Sequence, residues 1–248
     1  MTLFKHNNIE YFGEVAMIID FHSHILPGID DGSRNIDTSL AILDTCSSNG
    51  VDLMVATPHF YADSDRIDTF LNNRKEAYDL VMSKRTEDMP QIKLGAEVAF
   101  FSGISKADKI EALTIEGTNY LLLEMPFITW TPLMIKEVKS LIYDRHFNII
   151  LAHLERFMKL KNNKANVEAI MELPVTVQIN AESLSDWKQR GALVKMFKND
   201  KAHLLGSDCH GMHHRVPNLW EGRAVLEKKL GADFIAKLDK NGEDIFNI

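Results

Sequence analysis

The sequence predicts a single α/β domain built on a parallel sheet. Three observations carry that prediction. Short β-rich runs alternate with longer segments of helical period, the pattern of repeated strand-helix units. The 248 residues, 45% of them hydrophobic, suffice for one full core and fall short of two clear domains. The residues capable of chemistry gather where the predicted strands end.

Seven strand-helix units follow one another along the chain. Residues 1–15 read as an N-terminal extension and residues 16–248 as the domain. The apolar run Ala16, Met17, Ile18, Ile19 marks a buried strand at 17–21, followed by a helix at 37–48 with Asp37 and Thr38 as caps and Gly50 where it stops. A strand at 53–57 precedes a long helix at 65–84, and a strand at 92–98 precedes a short helix around 105–113. Strands at 120–124 and 148–152 lead to helices at 131–144 and 165–172. The last two units pair strands 175–180 and 203–207 with helices 184–198 and 218–230, the final helix capped by Asn218 and ended by Gly231. Neither an internal repeat nor a low-complexity tract interrupts the series.

Composition excludes several classes. A net charge of −7 argues against broad nucleic-acid or anionic-membrane binding, which needs an excess of Lys and Arg. Cys46 and Cys209 make no disulfide framework, and no stretch resembles a signal peptide or membrane span, because Glu10 and Glu14 interrupt the only candidate at the N-terminus. A cytoplasmic, reducing location without membrane insertion is the expectation.

The first strand closes on Asp20-Phe21-His22-Ser23-His24. Residues two apart on a strand point to one side, so His22 and His24 can grip one cation, with Asp20 either ligating or orienting an imidazole. Two surface histidines after a strand would read the same in isolation. The pattern recurs, however, at Thr57-Pro58-His59, Gly95-Ala96-Glu97, Glu124, Ala152-His153-Leu154-Glu155-Arg156 and Ser207-Asp208-Cys209-His210. Singly, Glu97 or Glu124 would serve as a rim ion pair, His59 as a turn residue and His153 as a core histidine. Parallel strands closed into a barrel bring their carboxyl ends to one mouth, and the group as a whole then converges.

Imidazole and carboxylate without thiolate suit manganese, iron or zinc better than they suit a structural zinc cage. Asp31, in the loop Pro27-Gly28-Ile29-Asp30-Asp31-Gly32, is a further candidate. With His22, His24, His59, Glu97, Glu124, His153, Asp208 and His210 it makes nine candidate ligands, too many for one cation. Two or three ions sharing bridging carboxylates suit phosphoester hydrolysis.

Taken in series, these motifs, with Gln178-Ile179-Asn180-Ala181, resemble the polymerase and histidinol phosphatase (PHP) superfamily. The segments from Asp20 to Gly32, Ala152 to Arg156 and Gln178 to Ala181 resemble most closely the manganese-dependent protein-tyrosine phosphatases encoded with bacterial capsule and exopolysaccharide genes. The resemblance covers roughly residues 17–248. It implies a distorted TIM-like (β/α)7 barrel with three metals. One would be held by His22, His24, Glu97 and Asp208, a second by Glu97, Glu124 and His153, and a third by Asp31, His59 and His210, with Asp30 an alternative to Asp31. It further implies Arg156 and Arg215 as phosphate clamps, attack by a metal-bridging hydroxide, and as substrate the tyrosine-rich tail of an autophosphorylating kinase that governs polysaccharide export. Each arginine would also be unremarkable on an ordinary surface.

Other readings share these residues. Cys209 to Arg215 matches C-x5-R of cysteine-dependent phosphatases, although two imidazoles and Pro217 crowd the loop, and a small buried cysteine is the plainer expectation. A histidinol-phosphate or other small-molecule phosphatase would use the same cage. A metal-stabilised scaffold docked on a membrane kinase complex would keep the ligands without turnover. Phe60, Tyr61, Phe100, Phe101, Phe127 and Trp130 follow the ligand strands and would either flank a phosphotyrosine ring or pack loops.

Overall fold

The sheet begins with β1 (Ile19–Ser23), which pairs in parallel with β2 (Leu53–Ala56), and β2 with β4 (Gln91–Leu94). A second parallel series runs from β3 (His59–Phe60) through β5 (Glu97–Ala99), β6 (Tyr120–Glu124), β7 (Asn148–Leu151) and β8 (Thr176–Asn180) to β9 (Leu204–Gly206). The computed structural model describes residues 16–248, so the expected extension at 1–15 lies outside the described residues.

The two series are joined at both margins. Gly95 N donates to Ala56 O at 2.8 Å and Glu97 N to Pro58 O at 3.0 Å, carrying the β2–β4 ladder on into β3–β5. Pro58 has no N–H, which breaks the run between β2 and β3 at that point. At the other margin Asp208 N donates to His22 O at 2.7 Å and His24 N to Cys209 O at 2.9 Å, so the segment after β9 meets the end of β1. The result is a curled parallel sheet.

Helices α1 (Ile36–Ser48), α2 (Ile67–Met82) and α3 (Pro132–Tyr143) match the expected segments to within two residues. The cap of α1 differs, because Asn35 Oδ1 accepts from Thr38 N at 3.0 Å where Asp37 and Thr38 were expected to cap. Then come α4 (Leu154–Met158), α5 (Lys164–Met171), α6 (Ala181–Ser185), α7 (Trp187–Lys198), α8 (Leu219–Leu230) and α9 (Ala232–Phe246). Four expectations need correction. The strand expected at 92–98 is two strands, split at Gly95 and Ala96. The helix expected at 184–198 is broken at Asp186, whose backbone turns extended and whose side chain accepts from Lys188 N at 2.9 Å to start α7. The helix expected around 105–113 is two 3₁₀ turns. Lastly β3, α4 and α9 were not foreseen.

Alternation along the strands sorts the core into two clusters. Met54, Ala56, Leu121, Leu123, Ile149 and Leu151 join helix residues such as Ile42, Val138 and Leu193 in the larger one. Leu53, Val55, Leu122 and Ile150 form the smaller, with Ile115 and, from α9, Ile245. Glu124 lies two residues beyond Leu122, on the same side of β6. One strand face thus passes from apolar packing to acid at the carboxyl end.

Candidate metal centre

Local backbone features deliver the candidate ligands. Register between β1 and β2 shifts between Asp20 and Ser23, and β1 ends with the Nε2 atoms of His22 and His24 only 3.2 Å apart. Their rings fit because glycines lie behind them: a Cβ on Gly206 would stand 2.6 Å from His22 Cβ, and one on Gly32 2.4 Å from His24 Cβ. Pairing of β3 with β5 sets His59 beside Glu97, and pairing of β5 with β6 sets Ala99 beside Glu124. His153, Asp208 and Arg215 follow their strands with φ of 31°, 53° and 49°, a left-handed backbone that costs non-glycine residues about 1–3 kcal/mol each. Such strain at three residues of one cluster marks a site shaped for something other than stability.

Glu97 is the hub. Its Oε2 lies 3.1 Å from His22 Nε2, 3.2 Å from His24 Nε2 and 3.1 Å from His59 Nδ1, while Oε1 is 2.9 Å from His153 Nε2. Glu124 Oε1 is 3.4 Å from the same His153 nitrogen. Asp208 Oδ1 stands 3.6 Å from His22 Nε2 and 3.5 Å from His24 Nε2. Asp31 Oδ1 reaches His59 Nε2 at 3.6 Å and His210 Nε2 at 3.4 Å. All nine candidate residues therefore meet in one cluster, in four overlapping groups: His24, Asp31, His59 and His210; His22, His24 and Asp208; His22, Glu97 and His153; and His59, Glu97 and Glu124.

Burial sharpens the electrostatics. It opposes ionisation of Glu97 and Asp208, yet the surrounding histidines hold both carboxyls well below the usual carboxylate range. Burial also opposes charge on His24 and His153, but Asp208, Asp30 and Glu97 hold His24 well above its ordinary value, and Glu124 and Glu97 raise His153 to about 9. At His210 burial prevails, joined by His24 and Arg215, and the imidazole falls to about 4. The pocket favours positive charge at its centre.

Hydrogen bonds to the outer ring nitrogens orient three imidazoles. His22 Nδ1 donates to Gln178 Oε1 at 3.1 Å, His24 Nδ1 to Asp30 Oδ2 at 2.7 Å and His210 Nδ1 to Asp208 O at 2.9 Å. Each Nε2 lone pair is then turned into the cluster. Asp30 and Asp31 are separated by this geometry. Asp30, with a 5% exposed side chain, also accepts from Gly32 N and His59 N, whereas Asp31, 69% exposed, faces the two imidazoles. Gln178 and Asn180 are positioning residues absent from the candidate ligand list: Gln178 Nε2 donates to Asn180 Oδ1 and Asn180 Nδ2 to Asp208 Oδ2, both at 2.8 Å. Their Gln-x-Asn spacing, which sets both on one face of β8, was the signal available. Asp20 does neither thing expected of it; its Oδ1 accepts from Ser207 N at 2.8 Å and His22 N at 3.2 Å, fastening β1 to the end of β9.

Arg156 and Arg215 both turn onto Asp208. Arg156 Nη2 donates to Oδ2 at 2.7 Å, and Arg215 Nη2 donates to Oδ1 while its Nη1 donates to His210 Nε2 at 2.7 Å. Each arginine side chain is 33% exposed, so both heads stand at the mouth. Cys209 is fully buried, and burial and the Asp20 carboxylate push its thiol far up. A nucleophilic cysteine needs access and a thiolate, and Cys209 has neither.

The donor set fits divalent cations. Glu97 Oε2 and His59 Nδ1 are buried without a hydrogen bond, close to their neighbours but misdirected. Two imidazole lone pairs 3.2 Å apart and backed by carboxylates repel unless a cation or proton lies between them. Nitrogen and oxygen ligands of this kind suit manganese, iron or zinc.

Comparison with known proteins identifies the family. Residues 18–247 match the family model described as capsular polysaccharide synthesis, CpsB/CapC. Tyrosine-protein phosphatase CpsB of Streptococcus pneumoniae is 29% identical over 87% of this chain and 92% of its own length. Tyrosine-protein phosphatase YwqE of Bacillus subtilis (strain 168) is 28% identical over 91% of this chain and 90% of its own. Among solved structures, one reported with YwqE and CpsB, described as unique metal-dependent tyrosine phosphatases, superposes with a TM-score of 0.79 at 22% identity, over 93% of this chain and 94% of that one.

Proposed function

This chain belongs to the CpsB/CapC capsular polysaccharide synthesis family, and from that premise we propose that it is a metal-dependent protein-tyrosine phosphatase. The observation that carries the proposal is the convergence of four buried or nearly buried imidazoles on Glu97, beside a buried Asp208 that holds two arginines at the mouth. We read the curled sheet as a distorted (β/α)7 barrel in which β2 with β3, and β4 with β5, each count as one strand. The metals are manganese, two or three ions, held by His22, His24, Glu97 and Asp208, by Glu97, Glu124 and His153, and by Asp31, His59 and His210. His24 lies close enough to the last group to serve it as well.

Bound cations supply neutralisation of phosphoryl oxygens and a water of lowered pKa. The chain's residues do the rest. Gln178 and Asp30 hold the proton of each Nδ1 so that His22 and His24 offer Nε2. Arg156 and Arg215 present planar forks suited to phosphate oxygens. To take a phosphate they exchange part of their contact with Asp208, and Arg215 must release His210 Nε2 before that nitrogen can ligate. A phenol of ordinary pKa about 10 leaves far more readily than an aliphatic alcohol, which suits a site whose acids are all drawn into the cluster. The substrate is a phosphotyrosine protein, the tyrosine-rich tail of an autophosphorylating kinase controlling capsule or exopolysaccharide synthesis, met in the cytoplasm. Among the described residues no helix is long and apolar enough to cross a membrane.

Hydrolysis of a phosphotyrosine peptide by protein stripped with chelator and reloaded with manganese tests the proposal. Activity should vanish on stripping, return with manganese and survive Cys209→Ser. Chelator-resistant activity lost in Cys209→Ser would replace it with thiolate chemistry, and preference for a small alkyl phosphate would replace the substrate.

A further inference from the structure

We infer that Tyr61 and Phe127 form an aryl slot over the metal centre and make it selective for phosphate esters of aromatic alcohols, an inference that rests on the phosphatase reading. The Tyr61 ring stacks on the His59 imidazole, centroids 5.2 Å apart and planes 25° apart. The Phe127 ring stacks on the His153 imidazole at 6.2 Å, also at 25°. Those two imidazoles approach opposite oxygens of Glu97, His59 Nδ1 at 3.1 Å and His153 Nε2 at 2.9 Å. Contact therefore runs from one aromatic ring through the cluster to the other.

Both rings are held in place and both face solvent. Tyr61 N donates to Asp65 Oδ2 at 2.8 Å and Asp65 N returns to Tyr61 O at 2.7 Å, closing a tight turn under the ring. Phe127 rests on the buried Phe157 with centroids 4.8 Å apart. Tyr61 is nonetheless 41% exposed and Phe127 54%. The other aromatic candidates are excluded by position: Phe60 and Trp130 are buried in the core, and Phe100 and Phe101 line a separate groove of about 230 Å³ beside Leu133 and Met134. Among the described residues, Tyr61 and Phe127 are the exposed aromatic side chains that touch ligand imidazoles.

Both rings lie open to water beside the charged cluster, where a bound ligand can cover them. An ester whose phosphoryl group reaches the cluster must set its substituent within the first layer of side chains around it. An aryl substituent there can pack on the exposed Tyr61 and Phe127 rings, in the offset or edge-on contacts such rings favour. A serine-derived alkyl chain would leave both faces wet.

Calorimetric binding of phenylphosphonate and methylphosphonate to the manganese-loaded protein tests the slot without turnover. Wild type should prefer the phenyl compound by about tenfold or more. Tyr61→Ala and Phe127→Ala should each lose about threefold to tenfold of that preference, with methylphosphonate affinity and metal content unchanged. Tyr61→Phe should keep the preference, and Phe127→Leu, which preserves packing on Phe157, should lose it. A wild type that binds neither compound or does not discriminate, or alanine variants with the wild-type ratio, overturns the slot. Discrimination in a protein that cleaves no phosphotyrosine peptide would sink the phosphatase reading and sustain the slot, whereas phosphotyrosine turnover without discrimination would do the reverse.

Discussion

Adjacent residues with one chemistry can have opposite fates, and Asp30 and Asp31 show it. Sequence cannot separate them, because each is a carboxylate in the same glycine-bearing loop. In the fold Asp30 turns inward to His24 Nδ1 at 2.7 Å, and the pairing, which outweighs burial, draws its carboxyl down to about 2. Asp30→Asn keeps the shape but weakens the acceptor that turns His24 Nε2 inward. Loss of an outer-sphere partner of this kind costs about 10–100-fold in metal affinity. Competition with a fluorescent chelator would measure it, and an affinity equal to wild type would show that His24 is oriented by its ring packing alone. A second residue-scale prediction concerns His203, away from the cluster. Its Nδ1 accepts from Val177 N at 2.9 Å, and burial holds the imidazole below its ordinary pKa of 6.5. The unfolded chain therefore binds more protons below pH 6.5, so this residue's contribution is complete above that value and is lost as pH falls. Asn supplies an acceptor that does not titrate. The melting temperature of His203→Asn should gain on wild type between pH 7 and pH 5, and parallel curves would refute the assignment.

Helices and strands were legible in proportion to how local their causes are. Strand β6 and helix α3 announce themselves by runs and periods within their own residues, and both stand at or within one residue of their expected bounds. Helix α9 was not, because Lys237, Asp239, Lys240 and Asn241 make its middle polar and Gly242 breaks the helical signal. That glycine is required by a distant neighbour: a Cβ there would lie 2.9 Å from Phe21 Cε2. Strand β3 is two residues long and exists because Glu97 pairs beside it, which no window around His59 can reveal. Glycines divide on the same ground. Gly191 in α7 has nothing within 4 Å of a modest side chain, whereas a Cβ on Gly222 in α8 would sit 2.8 Å from Ala181 Cβ and 2.9 Å from Ala181 Cα. Gly191→Ala should stabilise by about 0.5–1 kcal/mol through helix propensity. Gly222→Ala should destabilise by about 1–3 kcal/mol through overpacking, and since α6 directly follows Asn180, phosphatase activity should fall with it. Thermal melts of both variants decide this, and equal shifts in one direction would mean that the α6–α8 contact relaxes without cost.

At the scale of the whole molecule, the candidate site was more legible than the fold that presents it. Eight of the nine candidates lie at or just after the end of a strand, with Asp31 in a loop, and all nine lie in one cluster. Spacing sets Gln178 and Asn180 on one face of β8 but does not say what they hold: they act on His22 and Asp208, on elements remote in sequence. The same remoteness has a thermodynamic consequence. The cluster draws from β1, β3, β5, β6 and the segments after β7 and β9, so it exists only when the sheet is assembled. A cation that binds it therefore binds the native state and not the unfolded chain. At a free metal concentration of 100 times Kd that linkage is worth about 2.7 kcal/mol per ion. For a chain of this size about 2–4 °C of melting temperature corresponds to each kcal/mol. Manganese should thus raise the melting temperature of chelator-stripped protein by about 5–10 °C for one ion at that ratio. Glu97→Gln, which removes the charge shared by four imidazoles, should melt at a temperature that manganese barely changes. A wild-type melt indifferent to manganese, or a Glu97→Gln variant that responds as fully as wild type, would place the cation elsewhere and dissolve the case for a centre built on Glu97.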